Sequence, residues 1–411
     1  MMLQMTPEVH PKLRPIDVRP IQHDGQSFLL LVDPLHLSDE MITVPAQWGP
    51  LLLLCDGSRD LRALQASLLV RFGLRASLTD LAQIISIFDQ ALLLDNQRAT
   101  EALNQTLERY RQAPHRPPAL AGRSYPADGD ALQAMLRRYV DESVPADVPQ
   151  ANARGIISPH IDYQRGGAVC AAVWARVREV VRRSELVIIL GTDHMGAETS
   201  LTLTRQHYAT PWGVLPTDRD VVDALAEAVG EAAAFRAELH HRTEHSVELA
   251  VVWLHYIRGT DLPPCRLVPV LCGSFARFVE GSADPATDET FRQAVAVLKP
   301  LVDDGRALVV AAADLAHVGP AFGGQPVGLM ERAHLKAADD ALLAHICTGD
   351  ADGFFDAIRR VGDRNNVCGL PPIYLMLRLL PGTQGEVVAY DRCPADANGT
   401  SLVSICGVTI S

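Results

Sequence analysis

An unbroken apolar run that stops in small and polar residues, Leu186-Val-Ile-Ile-Leu-Gly191-Thr-Asp-His194, limits what this chain can become more than any other stretch. Consecutive Leu and β-branched residues suit a strand covered on both faces, because a half-exposed strand would alternate with polar residues. Gly191 allows the backbone to turn sharply where the strand ends. Two further segments repeat the arrangement, Gly155-Ile-Ile-Ser-Pro-His160-Ile-Asp162-Tyr and Ala307-Leu-Val-Val-Ala-Ala-Ala-Asp314-Leu-Ala-His317. Buried strands that each deliver a histidine imply an open α/β sheet, in which ligands gather beyond the carboxyl ends of the strands.

The C-terminal part alternates the two patterns. Strands are expected at 154–158, 186–191, 200–204, 266–271, 307–313, 386–390 and 401–409, and helices at 167–182, 218–229, 244–257, 288–303, 329–347, 351–360 and 370–379. The expected fold class is α/β, a three-layer αβα sheet with helices on both faces. A small domain precedes it. Gln26 to Val32 reads as a strand stopped by Asp33-Pro34, Pro45 to Cys55 as an apolar segment closed by Asp56-Gly57, and Asp60 to Phe72 as a helix. Ser77 reads as a cap ahead of a third helix over Leu81 to Leu94. This order, behind a leading strand pair, points to a winged-helix-like module. Arg98 to Gln112 reads as a helix fading into Pro114-His-Arg-Pro-Pro118, a stiff linker, so the domains are placed at 1–115 and 119–411.

A formal charge of -12 with no Lys/Arg stripe argues against a nucleic-acid surface. Hydrophobic residues at 48% and charged residues at 21% fit an ordinary globular chain. Several of the eight cysteines lie in apolar runs, and none forms a C-x-x-C pair. Met1 to Met5 lacks the basic start and apolar length of a secretion signal, and no run is long enough to span a bilayer. A reducing cytoplasm without disulfides, and no membrane partner, is the expectation. Walker, Rossmann, H-E-x-x-H and G-x-S-x-G motifs are absent from the sequence.

The candidate chemistry lies at the strand ends. His160, His194, Asp314 and His317 offer the nitrogen and oxygen donors that a transition metal takes. Cys368, in Asn365-Asn366-Val-Cys368-Gly369, precedes a helix start, where backbone amides favour the thiolate. Glu244-His245-Ser246-x-Glu248 opens a helix and either lines the pocket or braces it. Adjacent His240 and His241 are expected at the surface, since side chains next to each other on a helix start diverge.

From Ala121 onward a series of short motifs runs in order: Ala121-Gly-Arg-Ser-Tyr125-Pro, Ser158-Pro-His160, Leu190-Gly-Thr-Asp-His194, Tyr208-Ala-Thr210-Pro211-Trp-Gly213, Glu244-His245-Ser246, Ala313-Asp314-Leu-Ala-His317 and Val367-Cys368-Gly369. In these the chain resembles the Memo family, known in prokaryotes as AmmeMemoRadiSam system protein B. The resemblance implies a fold like that of class III extradiol dioxygenases and a metal held by His160, His194 and Cys368. Iron comes first, with copper or zinc as alternatives. Asp314, His317 and His245 are then the candidate catalytic residues, acting in redox or oxygen-related chemistry on an unknown small molecule. Radical SAM and AMMECR1-like proteins are the implied partners.

Two positions depart from the family's usual pattern: His160-Ile161-Asp162-Tyr163 stands for His-Ala-Gly-Tyr, and Asp193-His194-Met195 for Ser-His-His. The extra carboxylates could bond to imidazoles, hold a second cation or face water. Leu51 to Gly73 is similar to the small PqqD domains, which implies a peptide partner added as a strand. Two further readings stay open. One is metal-free chemistry with Cys368 as nucleophile, His317 or His160 as base and Asp314 orienting it. The other is a scaffold with a structural ion.

Overall fold

A computed structural model describes residues 9–38, 40–196 and 201–411. The expectation for Met1 to Met5, and the first residue of the strand expected from 200, lie outside them. The chain separates into two compact units, residues 1–112 and 113–411.

In the first unit, β1 (Asp17–His23), β2 (Gln26–Val32) and β3 (Ile42–Pro45) form an antiparallel sheet in that order. The β1–β2 hairpin turns on Asp24-Gly25, both at positive φ, a turn whose twist matches the strands it joins. An Asp-Gly dipeptide ahead of the Gln26–Val32 strand is the local signal for β1. Helices Gly49–Leu54, Leu61–Phe72, Leu78–Gln90 and Gln97–Gln112 follow. Ser77 and Asp80 cap the third helix reciprocally. It ends short of Leu94 because Leu92 takes φ 59, where no helix continues. Leu51, Leu64, Leu68, Leu81, Ile85 and Phe88 form the core of this unit.

The second unit is built on a mixed sheet. Its parallel centre comprises β4 (Gly155–Ser158), β5 (Leu186–Thr192), β9 (Arg266–Cys272) and β10 (Ala307–Ala312), ordered β4-β10-β5-β9. β6 (Leu201–Leu203) closes the β9 side, and Tyr208–Thr210 (β7) forms a separate hairpin with Gly213–Leu215 (β8). On the other side β13 (Leu402–Ile410) runs antiparallel to β4 and pairs with both β12 (Gly385–Pro394) and the short β11 (His317–Val318). The β7–β8 hairpin and β11 were not foreseen; strands of two or three residues are too short to show a period.

β5 shows why its run is continuous. Leu186, Ile188 and Leu190 enter one core with helices Arg219–Val229, Glu289–Asp303 and Leu370–Leu379, while Val187 and Ile189 enter another with Tyr163–Arg176 and His245–Arg258. Alternate side chains therefore meet helices on opposite faces, and neither set can be polar. The helix expected over 167–182 is two helices, Tyr163–Arg176 and Arg178–Arg183, broken at Val177. Gly191 is not at a turn. It lies within β5, and a Cβ there would sit 2.5 Å from Ser246 Oγ and 2.7 Å from Val247 Cγ2, so what it provides is room for the helix behind it.

Candidate metal centre

Register brings the site together. Ala312 of β10 is level with Ser158 of β4 and Gly191 of β5, so the three parallel strands end side by side. His160 and Asp314 follow two residues past their strands and His194 two past β5, all at the same edge. Cys368 arrives from a different direction, just before the helix Leu370–Leu379. The amide of Gly369 donates to the Asp314 carbonyl at 3.0 Å and Thr192 Oγ1 donates to the Cys368 carbonyl at 3.0 Å. A Cβ at position 369 would lie 2.3 Å from the Asp314 carbonyl oxygen, so only glycine lets Cys368 come this close.

His160 Nε2 lies 3.3 Å from Cys368 Sγ, while its Nδ1 faces the Ala312 carbonyl at 2.8 Å. The carbonyl can only accept, so the proton sits on Nδ1 and the Nε2 lone pair points into the site. The backbone amide of His160 donates to Asp314 Oδ1 at 2.9 Å. Burial, with His194 and His245 beside it, holds the His160 ring well below the usual imidazole range.

Glu244 organises the other side. It caps the helix His245–Arg258, accepting the amides of His245 at 2.8 Å and Ser246 at 3.0 Å. The same carboxylate meets Nδ1 of His194 and Nδ1 of His245, each 3.0 Å from Oε1. The two rings stack with centroids 4.5 Å apart, and both stand edge-on to His160, at 5.1 and 5.3 Å. Burial alone would lower His194, but Glu244 outweighs it and raises the ring above its ordinary value. Burial likewise opposes the Glu244 charge, yet His194 and His245 overcome it and keep the carboxyl well below the usual range.

Ligand atoms of His160, His194 and Cys368 converge within 4.8 Å of one another, as do those of Asp314, His317 and Cys368, and those of His194, Glu244 and His245. All six residues anticipated from the sequence thus lie in one neighbourhood. His317 directs Nδ1 at the Leu315 carbonyl, 3.3 Å away, and packs edge-on against Phe322. Burial lowers its imidazole and raises the carboxyl of Asp314. Cys368 departs from expectation: burial and the neighbouring Asp314 push its thiol well above the ordinary value, so the helix start does not make it a thiolate.

The extra carboxylates are both engaged. Asp193 is buried and pairs with His240 Nδ1 at 2.8 Å, and Asp162 caps the helix Tyr163–Arg176 and pairs with Arg165. His240 and His241 diverge as anticipated, but the surface assignment is wrong for His241. It is fully buried between Tyr208 Oη at 2.6 Å and the Thr202 carbonyl at 2.9 Å, and burial lowers it to about 4. The clamp formed by Glu244 was not foreseen either. Its one sequence signal was an acid directly before an apolar helical run.

A cavity of about 610 Å³ opens in front of His194, His317 and Cys368 and is otherwise lined largely by apolar side chains. An α/β protein with histidines, carboxylates and a cysteine gathered at the carboxyl edge of its parallel strands is thereby defined. The family model described as Memo-like protein matches residues 116–409, and the chain belongs to the Memo family. A MEMO1 family protein of Aquifex aeolicus is 28% identical over 407 residues, covering 97% of this chain and 99% of its own. One from Methanosarcina mazei is 27% identical over 281 residues, 67% of this chain and 91% of its own. Another, from Thermus thermophilus, is 26% identical over 333 residues, 81% and 93% of the two chains.

Proposed function

We propose that this chain is a non-haem metalloprotein whose ion is held by His160, His194 and Cys368, with Asp314, His317 and His245 serving the chemistry beside it. One observation carries the reading: His160 Nε2 faces Cys368 Sγ at 3.3 Å while the ring's other nitrogen is fixed on a carbonyl. Two imidazoles and a sulfur suit Fe(II), Zn(II) or copper. Iron is proposed first, on the likeness to class III extradiol dioxygenases, and redox or oxygen-related chemistry on a small molecule is the proposed activity. An ion with an open position polarises a bound oxygen or acidifies water. Around it, Glu244 fixes His194 and His245, and the Leu315 carbonyl faces Nδ1 of His317. The raised thiol of Cys368 speaks against a metal-free nucleophile.

Metal content of protein purified without chelator, beside His194→Ala and Cys368→Ser, tests the assignment. Wild type is expected to carry one equivalent and the variants little. Equal metal in all three proteins rejects it.

The two units are further proposed as functional domains, at 1–115 and 119–411. For the first we propose a PqqD-like winged-helix module that adds a peptide to its sheet, supported by the antiparallel β1-β2-β3 order, which leaves β1 and β3 at the edges. Radical SAM and AMMECR1-like proteins are proposed partners of the chain as a whole, and a cytoplasmic setting fits eight cysteines that all stand as free thiols. Affinity capture with the full chain that recovers neither class of partner counts against that association. No helix among the described residues is long and apolar enough to cross a membrane.

A further inference from the structure

The cavity in front of the centre carries a charge pattern of its own. Its apolar wall is formed by Phe275, Val279, Phe322, Val367, Leu370 and Pro371. Among the described lining residues the acidic side chains are Asp193, Glu280 and Asp363, and there is no Lys or Arg.

The arginines nearest in sequence are engaged elsewhere. Arg277 pairs with Asp288 and lies over the Phe278 ring at 4.6 Å, and Arg364 lines a separate cavity of about 400 Å³. Asp193 already has His240 as partner, whereas among the described residues Asp363 accepts the Val367 amide, at 2.9 Å on Oδ1, and Glu280 is exposed at the rim. Asp363 sits at φ 46, in a turn that sets its backbone at the mouth beside Gly362. A carboxylate or phosphate entering here would meet like charge at Asp363 and Glu280 and, among the described lining residues, find no Lys or Arg; the basic groups on the wall are His194, held by Glu244, and His317.

We infer that this cavity selects uncharged or cationic ligands with a flat apolar body, and excludes carboxylates and phosphates that do not reach the ion. The inference deepens the proposed metalloprotein reading by naming the ligand class of the same site. It rests on the walls, not on the metal. The volume fits a body of one or two rings, within the usual range of small-molecule sites. Apolar contact with Phe275, Val279 and Leu370 supplies affinity, and Asp363 and Glu280 supply the preference in charge.

Three ligands that share one ring system and differ only in the charge of the tail make the test: tryptamine, tryptophol and indole-3-acetate, titrated against the full chain after chelator treatment. Tryptamine is expected to bind at least about tenfold more tightly than indole-3-acetate, as an acid-lined, partly water-screened wall requires. The double variant Asp363→Asn, Glu280→Gln should bring the three together, and Val279→Trp, which fills the cavity from a half-exposed position, should weaken all three. Indole-3-acetate binding as tightly as tryptamine, a ratio unchanged in the double variant, or no binding of any of them at millimolar concentration overturns the inference. Metal content measured on the same untreated proteins separates the two readings. A preference retained in protein that never carried metal sinks the metal assignment alone, and metal retained without a preference sinks this inference alone.

Discussion

Glu244 holds His194 at two levels: its carboxylate meets the ring Nδ1 at 3.0 Å and accepts the His194 backbone amide at 3.1 Å. A histidine held this way keeps one tautomer and one orientation, so the nitrogen offered to a metal is decided before the metal arrives. Glu244→Gln retains an acceptor of the same size but loses the charge that stabilises both His194 and His245. Its affinity for Zn(II), measured by competition with a chromogenic chelator, is expected to fall roughly 10- to 100-fold. Unchanged affinity would mean the clamp is only a helix cap.

Arg116 and Glu248 form a fully buried ion pair at 2.6 Å, and the pair ties the start of the large unit to the helix behind the site. Arg116 also donates to the Glu244 carbonyl at 3.0 Å, and Glu248 accepts from Tyr125 Oη at 2.6 Å and from the amides of Ala119 and Leu120, each at 2.8 Å. Removing one partner strands a buried charge, so Glu248→Gln and Arg116→Met are each expected to cost about 3–5 kcal/mol. Denaturant melts of the single and double variants check this. The double variant should lose less than the two single losses added together.

Gly191→Ala places a methyl group against Ser246 Oγ and Val247 Cγ2. Either β5 or the helix His245–Arg258 must shift, at a cost of about 1–3 kcal/mol. Because those elements carry His194 and His245, metal affinity should fall together with the melting temperature. A variant that melts like wild type and binds metal like wild type would show that the packing yields more easily than these distances imply.

Asp339 supplies a pH signature remote from the metal ligands. It is fully buried, accepts from Tyr390 Oη at 2.8 Å, and burial raises its carboxyl from 3.8 to about 6. Between those values the folded chain keeps a proton that the unfolded chain has released, so stability from this group is present in acid and lost as pH rises through 6. Relative to Asp339→Asn, wild type is expected to lose up to about 3 kcal/mol over that window. Urea melts from pH 4 to 7 measure it, and a difference between the two proteins that does not change with pH would refute the assignment.

The parallel strands were legible because their runs are continuous, and His160, His194 and Asp314 because each follows such a strand by two residues, whereas Cys368 was marked by the helix start after it. Short-range signals also located the long helices, since an amphipathic period needs only its own residues. The failures share a cause. The role of Gly191, the burial of His241, the protonation of Cys368 and the clamp of Glu244 all depend on atoms far away in the chain.

What the sequence determined by itself was therefore an inventory and a rough order: apolar strands, capped helices, and the donors that end them. Tertiary structure decided which donors meet. The level register of β4, β10 and β5 sets His160, Asp314 and His194 along one edge, and the close approach allowed at Gly369 brings Cys368 to His160. The physical reason is that local periodicity sets which face of an element is apolar, whereas the distance between side chains, and the charge each keeps once buried, depends on what packs across from it.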